Sequence, residues 1–440
     1  MQQRRFRFFK VMVVAFSIVS ASLLGGMNGP VYAESVDDLK AQLKTMQEKM
    51  MEMQKSMQAM QGRLEQLETV PVPAPAVAQA AKGAAPASGA PSVWSKYNMR
   101  LYGKVKVDAH YDTAELNNND QVHAVVKGDD YKNDSVNFNP RDTRFGFEAS
   151  HNWDNWLAKG RVEIDFYGDD NGSSLLPRMR LGYVDLSHDR GAGVRIGQDW
   201  IPVAQLNPST IDFGILSSAG NLWHRVPQAT VRQTLGDFEI LASAMKHRTT
   251  DNEREDRMPW ILSRVAYSNG FLGENGMLAL GAGYRHADYG TDNSENTDRW
   301  LVCGEFRYKY NALTLKGEIW TGAGIGENFL RSNLDVSEEL DPGQEPGPAA
   351  AFGGWIDLTY AFTDKFSMTG GYGVDNPDDD DIGNDYNDSR FTRNEQYYLN
   401  AWYQLAKPVK VGMEWIHVST ERDEDDNSGN RFTTSICYVF

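Results

Sequence analysis

Eight arginines are the residues of this chain best suited to binding chemistry, because a guanidinium is always charged and grips a carboxylate through two parallel hydrogen bonds. They are Arg144, Arg161, Arg178, Arg180, Arg195, Arg225, Arg232 and Arg264. Gathered on the wall of a narrow passage, they would attract and orient small anions. Alternatively, they pair with Glu148, Glu163, Asp165 and Asp212 and leave a transverse field with little preference for either sign of charge. The sequence leaves both interpretations open.

The elements that carry these arginines follow a period of two from about residue 98 to the last residue. Val105 and Val107 alternate with Lys104 and Lys106, and the same pattern runs through residues 156–166, 313–319 and 397–405. A face with this many charges is wet, whereas the opposite face is apolar. An apolar outer face around a polar inner face is typical of a closed barrel in lipid with an aqueous lumen. We therefore predict an all-β transmembrane barrel.

In one segment the sequence does not predict which side chains point out of the barrel. In residues 178–186, Met179, Leu181 and Tyr183 compete for the outer face with Gly182, Val184 and Leu186. Which way Arg178 and Arg180 point is therefore left open by the alternation alone.

Short and long connections alternate along the barrel region. Short turns are predicted at 151–155, 189–191, 235–237, 310–312, 363–365 and 407–408, and long polar loops at 113–140, 168–177, 201–224, 248–257, 287–298, 323–351, 375–393 and 420–430. Short turns belong to one rim of such a barrel and long loops to the other. Eight long loops imply about 16 antiparallel strands.

The third long loop, 201–224, is unusually apolar for a connection exposed to water. Ile211, Phe213, Leu222 and Trp223 are among its side chains. Packing against the inner wall would remove them from water, so the loop is predicted to form a constriction that presents Asp212, Phe213, Trp223 and His224. The alternative is a surface loop docked on a neighbouring subunit.

The end of the chain reads as an insertion signal. Phe432, Ile436, Tyr438 and Phe440 share one face of the last strand, and Phe440 is the terminal residue. This resembles the signal by which the barrel assembly machinery recognises outer-membrane barrels, with Tyr438 and Phe440 as its main residues.

The residues before the barrel divide into three parts. Residues 1–33 read as a secretory signal peptide, with a basic start, an apolar core and small residues before Glu34. Residues 34–69 carry apolar residues at an unbroken 3,4 spacing, which predicts an α-helical coiled coil and hence a homo-oligomer. Residues 70–97 are rich in Pro and Ala and predict an extended linker. The barrel domain is then 98–440, with the coiled coil in the periplasm.

Composition removes several other classes of function. The chain of 440 residues has a net charge of −16, which argues against binding nucleic acid, and only two cysteines. Neither a cofactor motif, a metal motif nor a catalytic constellation is recognised, so no enzyme is predicted. The acidic runs 378–381 and 423–426 are interpreted as a solvated mouth, with divalent-cation bridging to lipopolysaccharide as the alternative.

With these features together, the chain resembles the DcaP-like family of trimeric outer-membrane porins. The resemblance rests on the segments that begin at Arg141, Arg178, Ile196, Ile211 and Arg225, the last reading Arg-Val-Pro-Gln-Ala-Thr-Val-Arg. The phosphate-selective porins share the architecture. The resemblance implies a homotrimer in the outer membrane of a Gram-negative bacterium, in contact with lipopolysaccharide and lipid.

The function expected from this is a channel for passive diffusion of small hydrophilic solutes that prefers small anionic solutes such as dicarboxylates. Arg144, Arg180, Arg225 and Arg232 match the basic positions of the family pattern, whereas the acidic outer loops depart from it. The alternative function is a structural anchor in the outer membrane whose coiled coil binds the cell wall or a partner.

Overall fold

The computed structural model describes residues 98–128, 132–169, 174–248, 258–289, 295–330, 335–336, 347–382, 390–422 and 425–440. Its strands are β1 (Asn98–Asp112), β2 (Ser135–Asn139), β3 (Arg144–Trp153), β4 (Trp156–Asp165), β5 (Arg178–His188), β6 (Ala192–Trp200), β7 (Arg225–Leu235), β8 (Phe238–Met245), β9 (Trp260–Tyr267), β10 (Met277–Tyr289), β11 (Glu295–Tyr310), β12 (Leu313–Ala323), β13 (Ala350–Thr363), β14 (Phe366–Pro377), β15 (Arg393–Ala406), β16 (Val409–Glu421) and β17 (Asn427–Val439). The signal peptide, coiled coil and linker lie outside the described residues and stay predictions.

The strands form one closed antiparallel sheet. From β3 onward each strand pairs with the next in sequence, and β1 pairs with β17, which closes the ring. β2 and β3 both pair with β1 in continuous order and are two pieces of one barrel strand, interrupted at residues 140–143. Seventeen strands thus make a barrel of sixteen, and the predicted barrel is confirmed.

The period of two positions the side chains as expected. On β1, Leu101 and Val105 point outward, whereas Lys106 and Asp108 are buried on the inner side. On β15, Leu399 is outward and Asn400 is inward. An outward apolar face suits lipid, and the inward polar residues find their partners on the wall nearby and on the third loop.

The connections alternate in length as predicted, but with two differences. A seventh short-rim connection, residues 268–276, was missed because it is longer than a tight turn and contains a 3-10 turn at Gly270–Leu272. The predicted loop 287–298 is mostly strand, since β10 and β11 pair as far as Tyr289 and Glu295.

A register shift in β5 decides the facing of its two arginines. Glu163 of β4 is opposite Leu181, whereas its neighbour Ile164 is opposite Met179, so Arg180 is the extra residue of a β-bulge. Before the bulge Met179 points outward, and after it the outward residue is Val184. Both arginines face inward, and the bulge explains why no single alternation fits the whole strand.

The part of the chain that the structure describes has two short helices in the long loops, α1 (Gly326–Phe329) and α2 (Asp379–Ile382). Among the described residues, no helix is long or apolar enough to span a membrane.

Candidate functional site

The third loop, residues 201–224, joins β6 to β7 and is fastened to the far wall by carboxylates. The two oxygens of Glu414 on β16 accept the backbone N–H groups of Ile211 and Asp212, each at 2.6 Å. One oxygen of Glu305 on β11 accepts the N–H groups of Gln205 and Leu206 at 2.7 Å. Because β11 and β16 are remote from β6 and β7 in the ring, the loop crosses the lumen.

Further wall residues complete this attachment. Asp357 on β13 accepts the N–H of Ser209 at 2.8 Å, and Glu318 on β12 accepts that of Leu222 at 2.9 Å. The indole N–H of Trp320 donates to the carbonyl of Gly220 at 2.7 Å. The buried backbone of the loop is thereby satisfied by side chains rather than by a sheet.

Asp212, the only carboxylate of this loop, is turned toward the wall. It accepts the N–H of Gly214 at 2.7 Å and forms an ion pair of 2.9 Å with Arg431 on β17. Burial raises the pKa of Asp212. The Arg431 guanidinium and backbone N–H donors, including that of Gly214, lower it more, so the net pKa is below its ordinary value. The loop therefore adds no unpaired negative charge to the passage.

Phe213, next to Asp212, is the centre of an arginine cluster. Its ring stacks on Tyr167, with 4.0 Å between centroids. The guanidinium carbons of Arg180, Arg144 and Arg178 lie 5.7, 6.0 and 6.0 Å from the Phe213 ring. These three predicted residues are thus brought together around the loop tip.

A cavity of about 510 Å³ lies beside this cluster. Its cationic lining comes from both the arginines and a set of lysines, namely Lys104, Lys106, Arg144, Arg180, Arg225 and Lys410. Its lining carboxylates are Asp142 and Asp212. The lining side chains thus include six cations and two carboxylates.

Four of these cations are paired with carboxylates, although the three that share Asp142 outnumber its single negative charge. Lys104, Lys106 and Arg144 converge on Asp142 at 2.6, 3.1 and 2.8 Å. Arg180 binds Glu163 at 2.8 Å and Asp165 at 2.9 Å. Asp142 reaches its position because it lies in the break between β2 and β3.

The remaining two, Arg225 and Lys410, have no carboxylate within ion-pair distance in the described part of the chain; each stacks on tryptophan instead. The Arg225 guanidinium lies 4.7 Å from the Trp200 ring and 5.4 Å from the Trp223 ring. The Lys410 amine lies 3.9 Å from the Trp402 ring. A ring face stabilises a cation without cancelling its charge.

The other predicted arginines are paired and do not line the cavity. Arg161 binds Glu163 at 3.2 Å, Arg195 and Arg232 both bind Asp185 at 2.7 Å, and Arg264 binds Glu305 at 2.8 Å. For these four arginines the geometry matches the alternative in which each is paired with a carboxylate. Arg178 is also paired, with Asp165 at 3.0 Å, although it stays in the cluster around Phe213.

Trp223 and His224 lie at the end of the third loop, away from its tip. Their rings stack at 4.3 Å, and both contact the sixth long loop, through the carbonyls of Phe329 and Leu330. They contact the passage only indirectly, since the Trp223 ring supports Arg225.

Sequence reasoning did not select Lys104, Lys106 and Lys410 as site residues. The first two occupy inward positions of β1 by simple alternation, which was a usable signal. Lys410 is the second residue of β16, and its place in the cavity follows from closure of the barrel.

The terminal residues lie at the seam where the barrel closes. The N–H of Phe440 donates to the carbonyl of Gly103 at 3.1 Å, and the N–H of Gly103 donates back at 3.0 Å. The Phe440 ring contacts those of Phe145 and Tyr438 at 6.1 and 6.3 Å. Their role as an insertion signal stays a prediction.

The fold has known relatives among solved structures. The outer membrane channel DcaP of Acinetobacter baumannii has a TM-score of 0.66 at 20% identity, covering 79% of this chain and 98% of that one. An anion-selective porin from Comamonas acidovorans has a TM-score of 0.55 at 14% identity, covering 78% and 100%. OmpF of Salmonella typhi, in complex with daunomycin, has 0.53 at 13% identity, covering 79% and 98%. Among curated proteins, no sequence match was found.

The family model described as Gram-negative porin matches residues 72–428, so this chain belongs to the Gram-negative porin family. It is thus an outer-membrane channel protein, and the resemblance to DcaP-like porins is confirmed at the level of family and fold.

Proposed function

We propose that this porin is a passive channel for small hydrophilic solutes that prefers anions, including dicarboxylates. The observation that carries the proposal is the pair of cations, Arg225 and Lys410, that line the cavity without a carboxylate partner among the described residues. An anion entering the cavity therefore finds charge that the protein has not already neutralised.

The third loop supports the same preference. A loop carrying unpaired carboxylates would repel anions at the narrowest place, but Asp212 is consumed by Arg431 and by backbone donors. The positive charge of Arg225 is thus not opposed by the loop. The acidic run 423–426 lies partly outside the described residues.

Arg225 and Arg232 provide a direct test, because they are on the same strand but in different environments. Arg225→Gln removes an unpaired charge, whereas Arg232→Gln removes one that Asp185 already neutralises. In planar bilayers under a KCl gradient, Arg225→Gln should lower the chloride-to-potassium permeability ratio by roughly threefold or more, and Arg232→Gln should change it less.

The reversal potential of the wild-type channel decides the general question, because its sign reports the preferred ion. A cation-preferring wild type, or equal effects of the two substitutions, would contradict the proposal. Added salt should reduce the preference, since exposed lumen charges are screened within about 10 Å at 0.1 M.

We further propose a homotrimer, on the basis of the predicted coiled coil and the family resemblance. Contacts with lipopolysaccharide and the barrel assembly machinery are proposed on the same resemblance. The structural-anchor alternative depends on the coiled coil at residues 34–69, and no described feature favours it over a channel.

A further inference from the structure

Arg225 and Lys410, the two cations without a described carboxylate partner, lie on nearly opposite walls. Arg225 is on β7 and Lys410 on β16, and these strands are seven steps apart in the ring of sixteen, counted through β6, β5, β4, β3, β1 and β17. Both nevertheless line the same cavity of about 510 Å³. A solute in this cavity therefore has an available cation on each side.

Of the three lysines on this wall, only Lys410 has no carboxylate partner among the described residues. Lys106 and Lys410 are both register partners of Cys437, so they flank β17 on either side. Lys106, however, is held by Asp108 at 2.9 Å and Asp142 at 3.1 Å. Lys104 is also bound to Asp142. Only the amine of Lys410 rests on a ring, that of Trp402, instead of on a carboxylate.

The neighbouring lining is polar but uncharged. Thr359 on β13 and Thr369 on β14 share a hydrogen bond of 2.8 Å and line the cavity together with Ser367. These hydroxyls can donate to a bound oxygen and do not repel an anion. The side of the cavity at Trp402 thus contains one cation without a described carboxylate partner, Lys410, and several hydroxyl donors.

We propose that Lys410, positioned by Trp402, is a second anion contact of the channel and that a dianion engages Arg225 and Lys410 together. This inference rests on the proposed anion preference. A dianion gains from both contacts in one binding event, because the second charge is already held near its cation, whereas a monoanion occupies one contact at a time.

The test uses the full-length channel in planar bilayers, with block of the KCl current by added succinate or propionate. Lys410→Gln should raise the succinate concentration that halves the current by roughly threefold to tenfold, the size expected for a solvent-accessible charge contact. The concentration of propionate should change less. Lys410→Arg, which keeps the charge, should retain most of the succinate block.

A double-substitution cycle tests simultaneous contact. With Arg225→Gln and Lys410→Gln combined, the loss for succinate should be smaller than the product of the two single losses, because either substitution already abolishes bridging. For propionate, which occupies one contact at a time, the combined loss should be at least the product of the two single losses. Lys104→Gln is the matched control: it removes the same charge from the same cavity, but its effect should multiply with that of Arg225→Gln for both solutes.

Independent effects of Arg225→Gln and Lys410→Gln on succinate block would overturn the inference, as would equal behaviour of Lys104→Gln and Lys410→Gln. Failure of the proposed function has a different signature, namely a wild-type channel without anion preference in KCl. Folded barrels are verified for every variant by the shift in gel mobility on heating, so a loss of block is not confused with misfolding.

Discussion

At the scale of residues, the proposed anion preference depends on which cations already have a carboxylate partner. Arg225 and Arg232 belong to one strand, yet Arg232 is bound by Asp185 and Arg225 rests on two tryptophan rings. Residue type alone does not distinguish them. The proposed preference for anions is therefore assigned to the cations without a carboxylate partner, and not to the number of arginines.

Asp212 gives a prediction at this scale. Asp212→Asn keeps the size of the side chain but removes the ion pair with Arg431, so it should lower the free energy of unfolding by about 1–3 kcal/mol at neutral pH. Because folding lowers the pKa of Asp212, its stabilisation is present above the ordinary aspartate pKa and is lost as pH falls through the folded value. The difference between wild type and variant should therefore shrink in acid.

Urea unfolding of the refolded barrel at neutral and acidic pH measures this. Asp189→Asn is the control, because the Asp189 side chain is 56% exposed in a turn and pairs only with His188 among the described residues. Its effect should stay within about 0.5 kcal/mol. A pH-independent loss for Asp212→Asn would show that shape, and not charge, is what matters at the loop tip.

At the scale of elements, the third loop is held inside the lumen by the opposite wall. Its backbone has no sheet partner in the lumen, and carboxylates on β11, β12, β13 and β16 take that place. Each carboxylate is acceptor-only when ionised, which suits backbone N–H groups. Weakening one attachment should loosen the loop while leaving the barrel folded.

Glu414→Gln is the sharpest test of this attachment. Glutamine offers one acceptor oxygen where the carboxylate offers two, so the N–H of either Ile211 or Asp212 loses its partner, at a cost of about 1–3 kcal/mol. The single-channel current should become noisier and the mean conductance should rise. Glu148→Gln, at a pair with Lys159 of 3.6 Å, serves as the control. Identical noise in the wild type and both variants would exclude this role for Glu414.

At the scale of the whole molecule, the barrel is complete only when β17 meets β1. Phe440 finishes this closure through two backbone hydrogen bonds to Gly103 and through its ring contacts with Phe145 and Tyr438. The last residue therefore contributes to the seam as well as to the predicted insertion signal.

Deletion of Phe440 should lower the amount of folded protein in the outer membrane several-fold, whereas Phe440→Tyr should retain it, because the aromatic face and both backbone bonds remain. Membrane fractionation combined with the heat-dependent gel shift measures the folded, inserted population. Normal levels of the deletion variant would count against the insertion signal and would show that the seam tolerates loss of its last pair.

The sequence by itself determined the barrel, its strand number and the burial of the third loop. These features depend on local patterns: alternation on each strand, the lengths of connections, and apolar residues such as Ile211 and Phe213 that need a partner surface. Such patterns are readable because a strand with a lipid face and a wet face must alternate. Where the alternation breaks, as at the bulge of Arg180, the sequence does not predict which way the side chains face.

Only the tertiary structure decided which charges are available. Arg232 meets Asp185, Arg431 meets Asp212, and Lys410 meets the ring of Trp402, and the first two of these contacts join residues far apart in the sequence. Ion pairs between strands, or between a strand and a loop in the lumen, depend on strand register and closure, which couple every strand to the others. The sequence shows which residues are charged. Whether two charges form an ion pair depends on the distance between their side chains, which is set only when the barrel closes.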